Sequence, residues 1–292
     1  MKRFLWVIFV VVGVFFTACG GGGSNDVVKE DLPYKPSYSQ MASLNETNSE
    51  IVALSVYKSV LGTNDFERID FLGRKSSLNK ELKSVQKLSL RLLSKRVTTQ
   101  SCDIGRAIVN EVSDNETYIT YKDCSLDGVT LSGKAHLIKY DSENAVLYFD
   151  HLDIKGEQER LYVTKAKFTI NGDIFKIENM YANYTNSDMR VEFLNYNQTI
   201  VTDEYNNKLT ISVDGYIKTA CSGGFVYVKT KPEIILDEVA SYLVGSLEIS
   251  SKGAVLNVDF DEDGVYFTDV DGVEEFLTYS ELDSKLNRLS CR

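Results

Sequence analysis

From about residue 101 onward the chain alternates. Segments such as "TYITYKD", "GVTLSGKAHLIKY", "AVLYFDHLDI", "LYVTKAKFTIN", "DIFKIENMYANYT" and "KLTISVDGYIKTA" are rich in Val, Ile, Thr, Tyr and Phe and change polarity every second residue. That is the period of a strand with one buried face. Asp-Asn, Asp-Gly, Ser-Glu-Asn and Asn-Gly-Asp turns stand between them. A parallel pair needs a crossover of roughly a dozen residues, and most of these connections are shorter, so neighbouring strands must run antiparallel. The meander continues through "GFVYVKT", "SLEIS", "AVLNVDF", "VYFTDV" and "EEFLTYSEL". "KPEIILDEVASYLVG" reads either as a short helix opened by Pro232 or as an edge strand.

Two helices are expected ahead of the sheet. In "SEIVALSVYKSVLG", Ser49 offers a cap, Ile51, Leu54, Val56, Tyr57, Val60 and Leu61 form a broad apolar stripe, and Gly62 offers a stop. In the second, Leu78, Leu82, Val85, Leu88 and Leu92 recur at steps of four and three after Ser77, while residues 74–96 carry a net charge of +7. The expected class is α+β, mainly antiparallel β, with two N-terminal helices packed on a large curved antiparallel sheet or on two related β units. The second option rests on a weak repeat. "LSGKAHL" at Leu131 and "LVGSLEI" at Leu243 each precede a similar strand, "AVLYFD" or "AVLNVD", and each follows a cysteine segment. The domain reading is residues 1–18 as a signal segment, 19–41 as a flexible Gly/Ser/Pro tether, 42–100 as helical, and 101–292 as the β domain, divisible into 101–200 and 201–292.

The first 24 residues say where the chain resides. Lys2 and Arg3 precede an apolar run from Phe4 to Phe16 that would cover about 20 Å as a helix, short of a hydrocarbon core of roughly 30 Å. Small residues follow, then Cys19 and four glycines. Phe16-Thr17-Ala18-Cys19 resembles the lipobox of bacterial lipoproteins, with Phe16 in place of the usual Leu. The resemblance implies that the segment before Cys19 is removed and that Cys19 carries a diacylglycerol and a further acyl chain such as palmitate, anchoring the protein in the membrane. It also implies a place in the cell envelope, on the periplasmic side or at the surface. Gly20 rather than Asp after the cysteine points to the outer membrane over the inner. Gly20 to Ser24 would then act as a pliant standoff from the lipid headgroups.

Charge and cysteines agree with that setting. The net charge of −10 becomes −12 once Lys2 and Arg3 are removed, a surface that repels nucleic acid over most of its area. Beyond Cys19 the cysteines are Cys102, Cys124, Cys221 and Cys291. An even number in an oxidising compartment predicts two disulfides, and Cys102 with Cys124 and Cys221 with Cys291 would staple each half of the β region within itself. Residues 254–284 hold ten Asp or Glu and no Lys or Arg, so the basic second helix could lie near them or face anionic headgroups.

Chemistry-bearing motifs are sparse. Asp259, Asp261 and Asp263 followed by Gly264 match the opening of an EF-hand calcium loop, but position twelve is Val270 instead of Glu. An acidic hairpin turn explains them more simply; calcium is the one cofactor they suggest. GxSxG, HExxH and a Gly-rich phosphate loop with Lys are absent from the sequence. His136 and His151 fall in strands, and strict alternation would put His151 on the face opposite Asp150. The expected role is non-enzymatic: a structural or binding protein of the envelope, with a membrane and an envelope protein as partners. The alternative is a periplasmic carrier whose Tyr- and Phe-rich strands enclose a lipid or other apolar ligand.

Overall fold

A computed structural model describes residues 35–61, 99–126, 129–141, 144–156, 159–203, 205–237 and 242–291. Cys19, Gly62, Ser77 and the basic segment 74–96 lie outside the described residues, among which one α-helix precedes the sheet. That helix, α1, spans Glu46–Val60. It starts before Ser49 because Asn45 and Asn48 cap it reciprocally: Asn48 N donates to Asn45 Oδ1 at 3.2 Å and Asn45 N to Asn48 Oδ1 at 2.9 Å. Ser49 is instead a buried residue of the first turn, its hydroxyl donating to the Asn45 carbonyl at 2.6 Å.

The strands are β1 (Thr99–Ser101), β2 (Ile104–Ser113), β3 (Glu116–Leu126), β4 (Val129–Lys139), β5 (Asn144–Lys155), β6 (Arg160–Asn171), β7 (Ile174–Thr185) and β8 (Arg190–Asp203). They continue as β9 (Lys208–Thr219), β10 (Phe225–Thr230), β11 (Ile234–Asp237), β12 (Tyr242–Ser251), β13 (Ala254–Phe260), β14 (Gly264–Thr268) and β15 (Glu274–Thr278). All fifteen form one antiparallel sheet in near-sequential order. Residue 200, where two units would meet, lies inside β8. The ambiguous segment around Pro232 is an interior strand: β10 pairs with the C-terminal half of β9, β11 with its N-terminal half, and both pair with β12. Pro232 sits in the break, where the missing N–H costs no ladder bond, while its carbonyl still accepts from Ser246 N at 3.3 Å.

A line of bulges crosses the sheet. Asp123, His151, Asn179 and Asn195 take φ values of 50°, 50°, 51° and 47°. Each stands where the register shifts: between Tyr121 and Cys124, Asp150 and Asp153, Ile177 and Met180, and Leu194 and Asn197. Glycines admit the close backbone approach. A Cβ on Gly133 would fall 2.2 Å from the His151 carbonyl oxygen, and one on Gly215 would fall 2.6 Å from the Tyr196 Cα. Bulges bend a strand and add twist, so a row of them on successive strands creases the sheet. Gly133 and Gly245, the glycines of the sequence repeat, share φ values of 130° and 136° and both touch a neighbouring backbone.

The inward residues on either side of this crease belong to one apolar cluster, with Leu131, Leu152, Ile154, Leu161, Val163, Met180 and Ile217 fully buried. Helix α1 joins the cluster through Val52, Val56 and Tyr57 and packs against β9 and β13. The stretch expected to continue as a strand after "EEFLT" becomes a second helix, α2 (Tyr279–Arg288), because Thr278 and Glu281 form a capping box and Leu282 and Leu286 fall on one face. Lys58 of α1 donates to the carbonyls of Leu286 and Leu289 at 3.0 and 3.3 Å, closing the end of α2. Ahead of α1, Met41 bridges Phe225, and Ala42 N donates to the Phe225 carbonyl at 2.8 Å. The chain is thus tied to the sheet where the expected tether ends.

Candidate functional site

The outward face of β5 to β9 carries two rows of polar side chains set by the strand register. Asp153 lies beside Tyr162, Asn183, Glu192 and Lys218 in turn, and Lys155 beside Arg160, Thr185 and Arg190. Arg160 is clamped to Asp153 by two bonds, Nε to Oδ1 at 2.7 Å and Nη2 to Oδ2 at 3.0 Å. Hydrogen bonding and charge from Asp153 hold the guanidinium above its ordinary pKa. The guanidinium end of the pair is exposed while Asp153 is largely buried, so the carboxylate fixes the orientation of the guanidinium. On the far side Lys218 pairs with Glu192 at 3.0 Å.

Between these ion pairs stand two short side chains. Asn183 and Thr185 cannot reach as far from the sheet as their neighbours, and a hollow of about 260 Å³ opens over them, walled by Arg160 and Tyr162. Among the described residues, neither the Asn183 amide nor the Thr185 hydroxyl has a hydrogen-bond partner within the protein. The hollow therefore offers an aromatic ring, an amide, a hydroxyl and a guanidinium held by a carboxylate that Lys155 shares at 3.1 Å.

The bulge in β5 changes the reading of His151. Alternation would separate it from Asp150, but the extra residue brings both outward, with His151 Nδ1 2.7 Å from Asp150 Oδ1. The His151 ring meets the Tyr162 ring edge to face at 6.5 Å, so the pair borders the hollow. His136 sits elsewhere on the same face. Its Nε2 is 2.9 Å from Glu116 Oε1, and its ring is stacked between Tyr118 and Tyr148 at centroid distances of 4.1 and 5.6 Å. Those rings cover one another's faces, which makes the row a cross-strand support instead of an open platform.

The acidic segment forms the turn between β13 and β14. Asp261 Oδ1 accepts from Asp263 N at 2.8 Å and Gly264 N at 3.2 Å, and the Tyr279 hydroxyl donates to the Asp261 carbonyl at 2.7 Å. Burial, with the charge of Asp261 adding to it, pushes the Tyr279 hydroxyl up to about 12. Asp259 stands outward on β13 between Ser246 and Tyr266. Among the described residues, no three His, Cys, Asp or Glu side chains gather as a metal site requires. Asp127 of the "SLDG" turn lies outside the described residues.

The four cysteines beyond Cys19 are joined as Cys102–Cys124 and Cys221–Cys291, with Cα atoms 5.3 and 5.0 Å apart. The first ties the entry of β2 to β3. The second ties the turn after β9 to the segment after α2, where Cys291 also bridges Met189. No described helix is long and apolar enough to cross a membrane. The chain matches no family model, no curated protein and no solved structure with which it was compared.

Arg160, Tyr162, Asn183 and Thr185 were not singled out from the sequence, though a signal for them exists. Counting outward from the Asn-Gly-Asp turn at 171–173 pairs Tyr162 with Asn183 and Arg160 with Thr185 on the polar face of the hairpin. What the count omits is depth, which depends on the lengths of the side chains in the flanking strands.

Proposed function

We propose that the protein is a lipid-anchored lipoprotein of a bacterial cell envelope, held by Cys19 and favouring the outer membrane, with a non-enzymatic structural or binding role. The observation that carries this reading is the basic head, short apolar run, small residues and Cys19 followed by glycines. Two disulfides support it, because such bonds persist in oxidising compartments. So does the clamp at Met41 and Ala42: about 20 residues of Gly-, Ser- and Pro-containing chain separate it from Cys19, a tether with an r.m.s. reach of roughly 25 Å.

The packing bears on the choice between binding protein and carrier. A cavity for a lipid would leave its apolar lining with accessible surface, yet Leu131, Leu152, Ile154, Leu161 and Val163 on the inward face have 0 %. This favours a filled core and a ligand or partner bound outside it. The anchor is tested by the intact mass of the protein purified from membranes, beside a Cys19→Ala variant. A mass raised by a diacylglycerol and an acyl chain, and lost in the variant, is expected. A chain still carrying residues 1–18 without modification sinks the reading.

A further inference from the structure

We propose that the hollow over Asn183 and Thr185 is a binding site for a single hexopyranose ring, presented either by a free glycan chain or by the headgroup of a glycolipid. This deepens the binding role proposed above and rests on it. The argument begins with size. At about 260 Å³ the hollow falls below the roughly 300 to 1,000 Å³ of pockets that enclose drug-sized ligands, and it suits one small ring.

Chemistry narrows the choice further. An apolar ligand would desolvate the Asn183 amide and the Thr185 hydroxyl without replacing their hydrogen bonds to water. An anion would find the Arg160 fork already bidentate on Asp153, which also holds Lys155 at 3.1 Å, and would lie one strand from Glu192. A pyranose answers both objections. Its C–H face can rest on the Tyr162 ring, and its hydroxyls can donate and accept together, as the amide and hydroxyl require. The N–H groups of Arg160 not used by Asp153 supply further donors.

Position fits an envelope glycan. Asn183, Glu192, Lys218 and Phe225 follow one another on adjacent strands, so the hollow lies about 14 Å along the sheet from Phe225, where the tether docks. A tether reaching roughly 25 Å leaves the hollow within range of sugars on the membrane surface and of polymers beside it.

The test uses the full mature protein from the mass measurement, reconstituted in phosphatidylcholine nanodiscs, with maltotetraose and the tetramer of N-acetylglucosamine as probes at millimolar concentration. Saturation-transfer NMR should show contact to sugar ring C–H protons, at least fivefold weaker in Tyr162→Ala and in Asn183→Ala and unchanged in Tyr205→Ala, whose side chain is 94 % exposed in a turn far from the hollow. Unchanged melting temperatures would show that the variants fold. Repeating the experiment in discs containing a digalactosyl lipid separates the sources: persistent transfer points to free glycan, and transfer lost through competition points to the headgroup. No transfer from either probe in plain discs, or equal transfer in all variants, overturns the proposal. Because the mass reads Cys19 and the NMR reads the hollow, the two proposals fail separately.

Discussion

Ser55 of α1 and Thr219 of β9 place their hydroxyl oxygens 2.9 Å apart in the buried core, across 164 residues of sequence. Their neighbours assign the protons. Ser222 N donates to Thr219 Oγ1 at 3.0 Å, and Ser55 Oγ donates to the Val52 carbonyl at 2.9 Å. The Thr219 hydroxyl must therefore donate to Ser55, completing a chain that starts at a backbone N–H and ends at a backbone carbonyl.

This chain predicts non-additive costs. Ser55→Ala strands the Thr219 hydroxyl, and Thr219→Val strands Ser222 N, each costing about 1 to 3 kcal/mol. The double variant should lose less than the sum by about 0.5 kcal/mol or more. Urea unfolding of the four proteins measures the cycle; strict additivity would show that the hydroxyls do not act together.

The crease makes Gly133 sensitive. Its φ of 130° and the His151 carbonyl oxygen 2.2 Å from a would-be Cβ predict that Gly133→Ala costs about 3 kcal/mol or more. Gly172, at φ 52° with nothing within 4 Å of a Cβ, should accept Asn at about 1 kcal/mol or less. Melting temperatures of the two variants give the comparison, and equal losses would argue against a close-packed crease.

The disulfides should differ in value. Cys221–Cys291 closes 70 residues and Cys102–Cys124 closes 22, so chain entropy assigns them about 4.4 and 3.4 kcal/mol. Denaturation of the Cys221→Ser/Cys291→Ser and Cys102→Ser/Cys124→Ser proteins should rank them in that order. Loss of the first pair should also release the C-terminal segment to proteolysis, since Cys291 N donates to the Asp188 carbonyl at 2.7 Å beside the bond.

A pH effect is expected at the start of α1. Hydrogen bonding to Asp271 and the charges of Asp271 and Asp269 raise Glu46 above its ordinary value. Its folded state therefore holds the proton more tightly than the unfolded chain, and the associated stability is present below the ordinary carboxylate range and lost as pH rises through the raised value. Glu46→Gln should accordingly be more stable than the wild type near about pH 7 and lose that advantage near about pH 3. A constant difference across chemical denaturation at the two pH values would sink the assignment.

Much of the architecture was open to reading because it is local. An antiparallel meander pairs each strand mainly with its chain neighbours, so alternation and turn residues suffice to place β4 to β9 in order. The helix α2 was missed because "TYSELDSKL" follows a strand without a break, and only the capping pair Thr278 and Glu281 marks the change. The hollow was missed for another reason: its four lining residues come from two strands, while its walls depend on Asp153 and the packing of the strands around them.

The sequence by itself determined the strand polarity pattern, the short antiparallel connections and the spacing of the cysteines, since each is a property of a few adjacent residues. Tertiary structure decided where the pattern breaks. A bulge such as that at His151 exists only because Gly133 on the neighbouring strand lets two backbones approach, and one inserted residue then turns Asp150 and His151 to the same face. Register is a property of a pair of strands, so the crease, the core it encloses and the side chains gathered around Asn183 arise only when the strands meet.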